Sequence, residues 1–417
     1  MAKIELAYGL SGRIELDVPR EKLVGVHVPP ANCVDLRQQV RLALETPLEL
    51  PALKQAIVEG DRVVLALDVH TPAAEILVDE LWTVCQRCGV RAEDLTILQP
   101  ASDNLSPPDP RLALPADVQS QVAWKIHTPH DEASHRYLAS TAAGERIYLA
   151  SDLADADFVI SVGSIAFDSV LGYRGSNSVV YPGLSNAEAS ARARGEGHDE
   201  LEPDDERPLR QKIDEVGWLL GTQYTVQVIA GQGAGVAEVY CGSADAVLRA
   251  GRDFLAAHWT ISLPQDEESV PRPDLVVVAV ESDAGGHGWD QLARALAVAQ
   301  RLVERGGRIA VVTELDLPLG EGLQLIRETS EPSDALRPIR KLAPADMNAA
   351  LQVARAVDSG RVYLMSHLDN DLVEDLHLIP LENADELARL IGTAERLLVI
   401  GGAQHVHGRV EHYSGLS

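Results

Sequence analysis

Three features that would narrow the class of this protein are scarce or missing. Cysteine is rare, with four in 417 residues, which excludes a disulfide framework and agrees with a reducing compartment. Basic residues are outnumbered by 63 acidic to 36 basic, and a net charge of −27 repels nucleic-acid phosphates and anionic lipid. No apolar run is long enough for a spanning helix, and MAKIELAYG lacks the order of a signal peptide. We therefore expect a cytoplasmic protein without nucleic-acid or membrane partners, and its oligomeric state cannot be predicted.

The length and the apolar pattern predict two α/β domains. A chain of 417 residues exceeds the size at which one core keeps growing. After a predicted hairpin, KIELAYG and GRIELDVP, apolar strands alternate with helical patterns, which indicates mostly parallel sheets flanked by helices. Charge and proline interrupt the pattern near residues 265–274. We predict one domain at 1–268, a second at 269–403, and a tail, 404–417, that returns to the first.

Three conspicuous segments have simple structural explanations. GQGAGV at 231–236 lacks the third glycine and the following helix of a dinucleotide fingerprint, so we interpret it as a hairpin turn. Cys85 and Cys88 end an amphipathic helical pattern rather than open one, which favours helix packing over redox or metal chemistry. The acidic, proline-containing stretch at 195–208 is typical of a solvated loop.

Polar residues follow three predicted strands of the first domain. Open α/β sheets bind ligands at the carboxyl ends of their strands. DVHTPAAE follows the first strand and PASDN the second, and SVGSIAFDSVLGYRGSNSVVYPGLS, residues 161–185, contains the third. His70 is either a general base or ligand, or a capping or core histidine. Asp68 is either a site residue or a helix cap. In the third loop, Asp168, Arg174 and Ser178 stand where a binding site would place side chains.

Besides these loops, five further segments carry a family resemblance: KIELAYG, GERIYLASDLADADFVISVGSI, the Pro-Gly at 182–183, ERPLRQKIDEVGWLLGTQYTVQVIAG and WDQLARAL. Together they resemble the nickel-pincer lactate racemase family over nearly the whole chain. The resemblance implies two α/β domains with an active-site cleft between them. It also implies a sulfur-containing, nucleotide-derived nickel cofactor that takes a hydride from C2 of a 2-hydroxy acid. That reaction needs a proton-transfer base on each face of the substrate, a cation for the carboxylate and a metal ligand.

The family motif P-H-x-x-x-G-[FY]-S-G-G-x-K, followed by P-G, is only half retained in the third loop. Gly172, Tyr173, Gly175 and the Pro-Gly pair agree with it. Asp168 stands at the family's base histidine, and Ser178 at the lysine that attaches the cofactor. Serine lacks the amine for that link, so the resemblance implies a cofactor that is held without a covalent bond, if it is held at all.

Further departures fall on the other family positions. The arginine of the D-x-T-R-P loop corresponds to Thr71, and the second base histidine to Asn104. The nickel-ligating histidine corresponds to Arg194, with His198 four residues later as a substitute ligand. In the second domain, Y-Q-x-x-K becomes Asp290, Gln291 and Arg294. Gln291 and Arg294 share a helical face, where Arg294 either binds a carboxylate or is an ordinary surface arginine.

These substitutions disfavour ordinary lactate racemisation, since losing one general base costs about 10²- to 10⁴-fold in rate. Three hypotheses remain. The chain is a divergent isomerase acting on a 2-hydroxy acid or related small acid, with Asp168 and His70 as catalytic groups. In that case Asp68, Thr71, Gly172, Arg174, Gly175 and Ser178 hold the cofactor, Asn104, Gln291 and Arg294 bind the substrate, and His198 binds the metal. Alternatively, it is a non-catalytic relative, or a nickel-independent acid–base isomerase or lyase.

Overall fold

The structure, a computed structural model, describes residues 1–101, 108–195, 201–222, 224–264 and 272–411. It contains two compact units: the central unit, residues 31–256, and the split unit, residues 1–30 together with the chain from residue 257 onward. This division differs from the predicted 1–268 and 269–403, because residues 23–27 pair with residues 397–400 in the split unit. The described part of the tail also lies there, since residues 407–411 pair with residues 260–264.

The central unit combines strands and helices in alternation. Its strands are β4 (Val63–Leu67), β5 (Leu95–Gln99), β6 (Ala123–Ile126), β7 (His135–Ser140), β8 (Arg146–Ala150), β9 (Phe158–Ser164), β10 (Ala166–Asp168), β11 (Gly172–Arg174), β12 (Tyr224–Ala230) and β13 (Val236–Gly242). Its helices are α1 (Leu36–Glu45), α2 (Ala74–Arg87), α3 (Ala116–Gln119), α4 (Ser151–Ala154), α5 (Ala187–Gly195), α6 (Pro208–Leu220) and α7 (Ala244–His258).

The split unit begins with the predicted hairpin and resumes after the central unit. Its strands are β1 (Ala2–Tyr8), β2 (Gly12–Val18), β3 (Leu23–His27), β14 (Thr260–Pro264), β15 (Leu275–Ala279), β16 (Arg308–Val312), β17 (Arg361–Met365), β18 (Ile379–Pro380), β19 (Leu397–Ile400) and β20 (His407–Glu411). Its helices are α8 (Trp289–Leu302), α9 (Glu321–Arg327), α10 (Pro332–Leu342), α11 (Met347–Ser359), α12 (Asn370–Asp375) and α13 (Ala384–Gly392).

The main sheet of the central unit has the order β13-β12-β9-β4-β5-β6. All its neighbours are parallel except β12 and β13, which form the hairpin predicted around GQGAGV. The chain moves outward from β4 to β5 and β6 and then returns to place β9 on the other side of β4. The sheet therefore has a topological switch point between β4 and β9, where open α/β sheets form a ligand-binding crevice.

The main sheet of the split unit is parallel, with the order β18-β17-β16-β15-β19-β3. Here the chain moves from β15 through β16 and β17 to β18 and then returns to place β19 on the other side of β15. Its switch point therefore lies between β15 and β19. The predicted hairpin β1–β2 packs by its apolar face on this sheet, where Ile4 and Leu6 share a core with Val277 and Val399.

Apolar strands that are covered on both faces explain why the sequence folds in this way. Every residue of β4, VVLAL, is buried. Val63 and Leu65 face a core that includes residues of α1 and α2, whereas Val64 and Ala66 face a second core with α6. β15 is likewise buried along its whole length. The predicted α/β class with mostly parallel sheets flanked by helices is confirmed. Among the described residues, every helix is too short or too polar to cross a membrane.

Candidate functional site

The loop after β4 is a tight turn that uses its own polar side chains. Asp68 extends the sheet by donating its backbone N–H to the Val162 carbonyl at 2.9 Å. Its carboxylate Oδ1 accepts from the backbone N–H of His70 at 2.9 Å, and its carbonyl accepts from the Thr71 hydroxyl at 2.6 Å. Asp68 and Thr71 therefore close the turn, and His70 is left half-buried at its tip.

Asp168, a predicted catalytic residue, caps a hairpin turn. β10 and β11 pair antiparallel, with Asp168 opposite Gly172. Asp168 Oδ1 accepts from the backbone N–H groups of Val170 at 2.9 Å and Leu171 at 2.8 Å. Within the part of the chain that the structure describes, nothing donates to its other carboxylate oxygen. Asp168 is thus a turn cap with one carboxylate oxygen available.

The glycine-rich segment after β11 has a backbone that ordinary residues adopt only with strain. Gly175 has φ 108° and ψ −175°, a region almost restricted to glycine, and Ser176 has φ 51°. The Ser178 hydroxyl accepts from the Gly175 N–H at 3.0 Å and closes a short 3₁₀ turn. A π-helical turn, Val179–Gly183, follows. Ser178, a predicted cofactor contact, is therefore a local turn residue.

A buried glutamine connects these loops at the switch point. Gln227 on β12 is 0% exposed and donates to the Thr225 hydroxyl at 2.7 Å. Its Oε1 has no hydrogen-bond partner in the described structure. A Cβ at Gly163 or at Gly175 would lie 3.0 Å from this oxygen, and the one at Gly163 would lie 3.4 Å from Asp68 Cβ. The structure thus brings the predicted residues Asp68 and Gly175 to one place. Sequence reasoning missed Gln227, although a polar residue inside YTVQVIA is a visible signal.

Hydrogen bonds from a neighbouring helix fix the third loop. Arg174 on β11 is 7% exposed. On α6, Arg210 donates to the carbonyls of Tyr173 and Gly175, both at 3.4 Å, and forms an ion pair with Asp214 at 2.9 Å. Burial raises the pKa of the Asp214 carboxyl above its usual value. The loop is therefore fixed by neighbouring elements as well as by its own turns.

The acidic segment predicted to be a solvated loop packs on this hairpin in its described part. We call residues 201–207 the strap. Its last residue, Arg207, is 3% exposed and donates to the carbonyls of Ser169 and Val170 in the hairpin and to those of Leu201 and Glu202 in the strap, at 3.1–3.3 Å. Asp204, Asp205 and Glu206 are exposed in a loop, as the solvated-loop interpretation predicts, whereas Arg207 is buried against the hairpin.

In the split unit, α8 carries two of the predicted substrate-binding residues, Gln291 and Arg294. They differ in the number of hydrogen bonds that they make within the protein. Gln291 is 3% exposed. Its Oε1 accepts from the Gly288 N–H at 3.0 Å, and its Nε2 donates to Asp283 Oδ1 at 3.0 Å. Arg294 is half-buried, and among the described residues none gives it an ion pair or hydrogen bond. Gln291 caps the helix, whereas Arg294 offers an available cation for a carboxylate.

The loops at the switch point of the split sheet carry titratable groups that sequence reasoning missed. After β15, Asp283 lies 3.6 Å from His405, which follows β19. His287 Nε2 accepts from the Glu314 backbone N–H at 3.0 Å and lies 2.7 Å from the Thr313 hydroxyl. Burial lowers the pKa of His287. The spacing of these residues in the sequence does not predict the cluster, because its members follow different strands.

Two predicted site residues, Asn104 and His198, lie outside the described residues. Within the described ranges, no group of three or more His, Cys, Asp or Glu side chains is placed to hold a metal ion. The Ser178 hydroxyl and one carboxylate oxygen of Asp168 accept hydrogen bonds from backbone N–H groups, and Ser178 has no amine. The described residues therefore do not fit a nickel-pincer nucleotide attached through a lysine.

Comparison with known proteins identifies the relatives of this architecture. Residues 8–193 match the family model described as the lactate racemase N-terminal domain. The chain is similar in structure to the lactate racemase apoprotein from Thermoanaerobacterium thermosaccharolyticum, with 17% identity and a TM-score of 0.77, over 98% of this chain and 100% of that chain. It is also similar to a protein from Thermotoga maritima, with 12% identity and a TM-score of 0.67, over 92% of this chain and 100% of that one.

No curated protein matches the sequence. At these identities the structural likeness concerns the fold, and the family model matches the sequence itself. The family resemblance predicted from the sequence is confirmed by the match of residues 8–193 to the lactate racemase N-terminal domain model.

Proposed function

We propose that this protein is a racemase- or epimerase-type isomerase that acts on a 2-hydroxy acid or a related small acid. The match of residues 8–193 to the lactate racemase N-terminal domain supports a racemase-like isomerase as the broad class. The observation that carries the proposal is the switch point between β4 and β9. There the turn of Asp68 and His70 meets the loop of Gly175 beside Gln227. Both loops are fixed by local hydrogen bonds, which is the preorganisation that a site requires.

His70 is the residue we propose for proton transfer at the substrate hydroxyl. It stands at the tip of a turn that Asp68 and Thr71 hold, and its side chain is half-buried. Asp168 is the second candidate, through the carboxylate oxygen that the hairpin turn does not use. In the split unit, Arg294 is the proposed carboxylate-binding residue, because it is half-buried and the described structure gives it no internal partner.

A nickel-pincer nucleotide, when bound, would supply a hydride acceptor for C2, and we propose that this chain holds any such cofactor without a covalent bond. Ser178 lacks an amine, so no lysine-type link can form there. The proposed cofactor contacts remain Asp68, Thr71, Gly172, Arg174, Gly175 and Ser178. The cytoplasmic location of the protein also remains a prediction. The measurement is the intact mass and nickel content of protein made in a host that synthesises this nucleotide. A covalent mass increment on Ser178 would contradict the proposal.

The activity test is inversion of enantiopure 2-hydroxy acids in D₂O, followed by chiral chromatography and mass spectrometry. We expect inversion with the original hydrogen retained at C2 for at least one acid. Replacing His70 by Asn should lower the rate about 10²- to 10⁴-fold. His130→Asn is the matched control, because His130 is exposed.

The same experiment distinguishes the alternatives. Inversion with deuterium incorporated at C2 and without nickel would indicate a nickel-independent acid–base isomerase. Absence of inversion, of exchange and of bound nickel would indicate a non-catalytic relative that kept the fold. This last alternative is favoured by one specific observation: Asp168 and Ser178 both serve as turn residues.

A further inference from the structure

At the tip of the strap, the Asp204 carboxylate bonds to Tyr173 of the third loop. Asp204 Oδ1 accepts from the Tyr173 hydroxyl at 3.1 Å and forms an ion pair with Arg252 of α7. The Arg252 guanidinium lies over the Tyr173 ring, 4.9 Å from its centroid. A phenol and a stacked guanidinium therefore converge on one carboxylate oxygen, which is an arrangement that proteins use to bind carboxylate ligands.

The base of the strap is fixed far more firmly than its tip. Arg207 is buried and bonds to carbonyls of both the strap and the hairpin. At the tip, the side chains of Asp204 and Arg252 are 58% and 38% exposed, and exposed ion pairs are weak because water and salt screen them. A competing carboxylate can therefore displace Asp204 without unfolding the base.

The strap forms a turn that its own hydrogen bonds close. The Asp205 N–H donates to the Glu202 carbonyl at 3.1 Å, and Asp205 Oδ2 accepts from the Glu202 N–H at 2.8 Å. Beneath it, a Cβ at Gly172 would lie 2.3 Å from the Pro203 carbonyl oxygen, so the strap rests directly on the hairpin. Burial raises the pKa of Tyr173 to about 12, with Asp204 adding to the effect, and the phenol therefore remains a hydrogen-bond donor.

We propose that Tyr173 and Arg252 form a binding site for the carboxylate of a small acid, and that Asp204 occupies this site as an internal competitor. The side chain of Asp204 presents the same functional group as the ligand. The strap then acts as an autoinhibitory latch on the hairpin that carries Asp168. This inference does not depend on the proposed isomerase activity.

Calorimetric titration with sodium acetate at constant ionic strength tests the site. We expect Asp204→Asn to bind acetate about 1.4- to 5-fold more tightly than the wild type, since an exposed ion pair contributes about 0.2–1 kcal/mol. Asp205→Asn is the matched control: it makes the same charge change one residue away, and its acetate affinity should stay at the wild-type value. Adding Tyr173→Phe to Asp204→Asn should abolish the gain while keeping the ring on which Arg252 stacks.

Hydrogen exchange gives a second readout on the wild-type chain. Saturating acetate should accelerate amide exchange in residues 201–206 and leave α6 unchanged. An equal gain in affinity for Asp204→Asn and Asp205→Asn would reduce the effect to net charge and overturn the proposal. So would folded Asp204→Asn protein with wild-type affinity. Tighter binding of inorganic phosphate than of acetate would overturn the assignment to carboxylates.

Discussion

At the switch point of the central sheet, Asp68, Asp168 and Ser178 bond to the backbone of their own loops, whereas at that of the split sheet side chains from different loops also contact one another. Asp68, Asp168 and Ser178 each close a turn within three residues of themselves. Asp283 accepts a hydrogen bond from Gln291, 8 positions away in the chain, and lies 3.6 Å from His405, 122 positions away. The first site is therefore built by local sequence and the second by the tertiary fold.

The largest expected effect concerns the backbone of the central site. Gly175→Ala should lower the free energy of unfolding by about 3 kcal/mol, because its φ of 108° excludes most residues and its Cβ would meet Gln227 and Ile165 at 3.0 Å. Gly60→Ala is the matched control: it also has a positive φ, 87°, but nothing lies within 4 Å, so the cost should be about 1 kcal/mol. Urea denaturation measures both. Equal costs would mean that the loop is not tightly packed.

The next effect breaks the network of the split site. Asp283→Ala leaves the Gln291 amide and the Gly285 N–H without their acceptor, and we expect a loss of about 2 kcal/mol. Asp290→Ala removes an exposed carboxylate from the first turn of α8 and should cost less than about 1 kcal/mol. Thermal unfolding compares them. Comparable losses would show that the internal bonds of the cluster contribute little.

A pH effect should appear in both units. Burial lowers the pKa of His127, in the central unit, and of His287, in the split unit. Unfolded histidine titrates near pH 6.5, so below that pH the unfolded chain binds protons that the folded chain does not. The stability from these groups is present above about pH 6.5 and declines as the pH falls. Melting temperatures at pH 7.5 and 5.5 should differ less for His127→Gln and His287→Gln than for the wild type. A His130→Gln control should keep the full difference.

The smallest expected effect tests whether Asp168 is chiefly a turn cap. Asp168→Asn keeps a side-chain oxygen for the Val170 and Leu171 N–H groups, so stability should change by less than about 0.5 kcal/mol. Asp168→Ala removes the acceptor and should cost about 1 kcal/mol. Urea denaturation of the two variants gives this difference. A large loss for Asp168→Asn would point to a role for the charge that the turn does not explain.

The same contrast explains how much could be predicted from the sequence. The hairpin β1–β2, the buried strands β4 and β15, and the turn after β4 follow from local pattern and turn chemistry, and the structure contains each of them. The position of β3 beside β19 could not be predicted, because it depends on pairing across more than 370 residues. Because of this pairing, residues 1–30 belong to the split unit and not to the same unit as residues 31–256.

In the sites, the sequence pattern did not indicate the tertiary environment of several residues. The strap has the composition of a solvated loop, yet Arg207 is buried under four carbonyls. Gln227 and the cluster around Asp283 carry no motif, since their partners lie on other strands. Gln291 was predicted to bind substrate, and its amide is instead shared between Gly288 and Asp283. These two bonds use one hydrogen of its amide nitrogen and one lone pair of its oxygen, and its role in substrate binding stays a prediction.

The most direct test of the central claim is the stereochemical fate of enantiopure 2-hydroxy acids incubated in D₂O with the protein from a host that makes the nickel-pincer nucleotide. The proposed isomerase predicts inversion with hydrogen retained at C2, a rate that His70→Asn lowers about 10²- to 10⁴-fold, and no covalent adduct in the intact mass. Unchanged configuration across the whole panel, with no nickel in the purified protein, would contradict it.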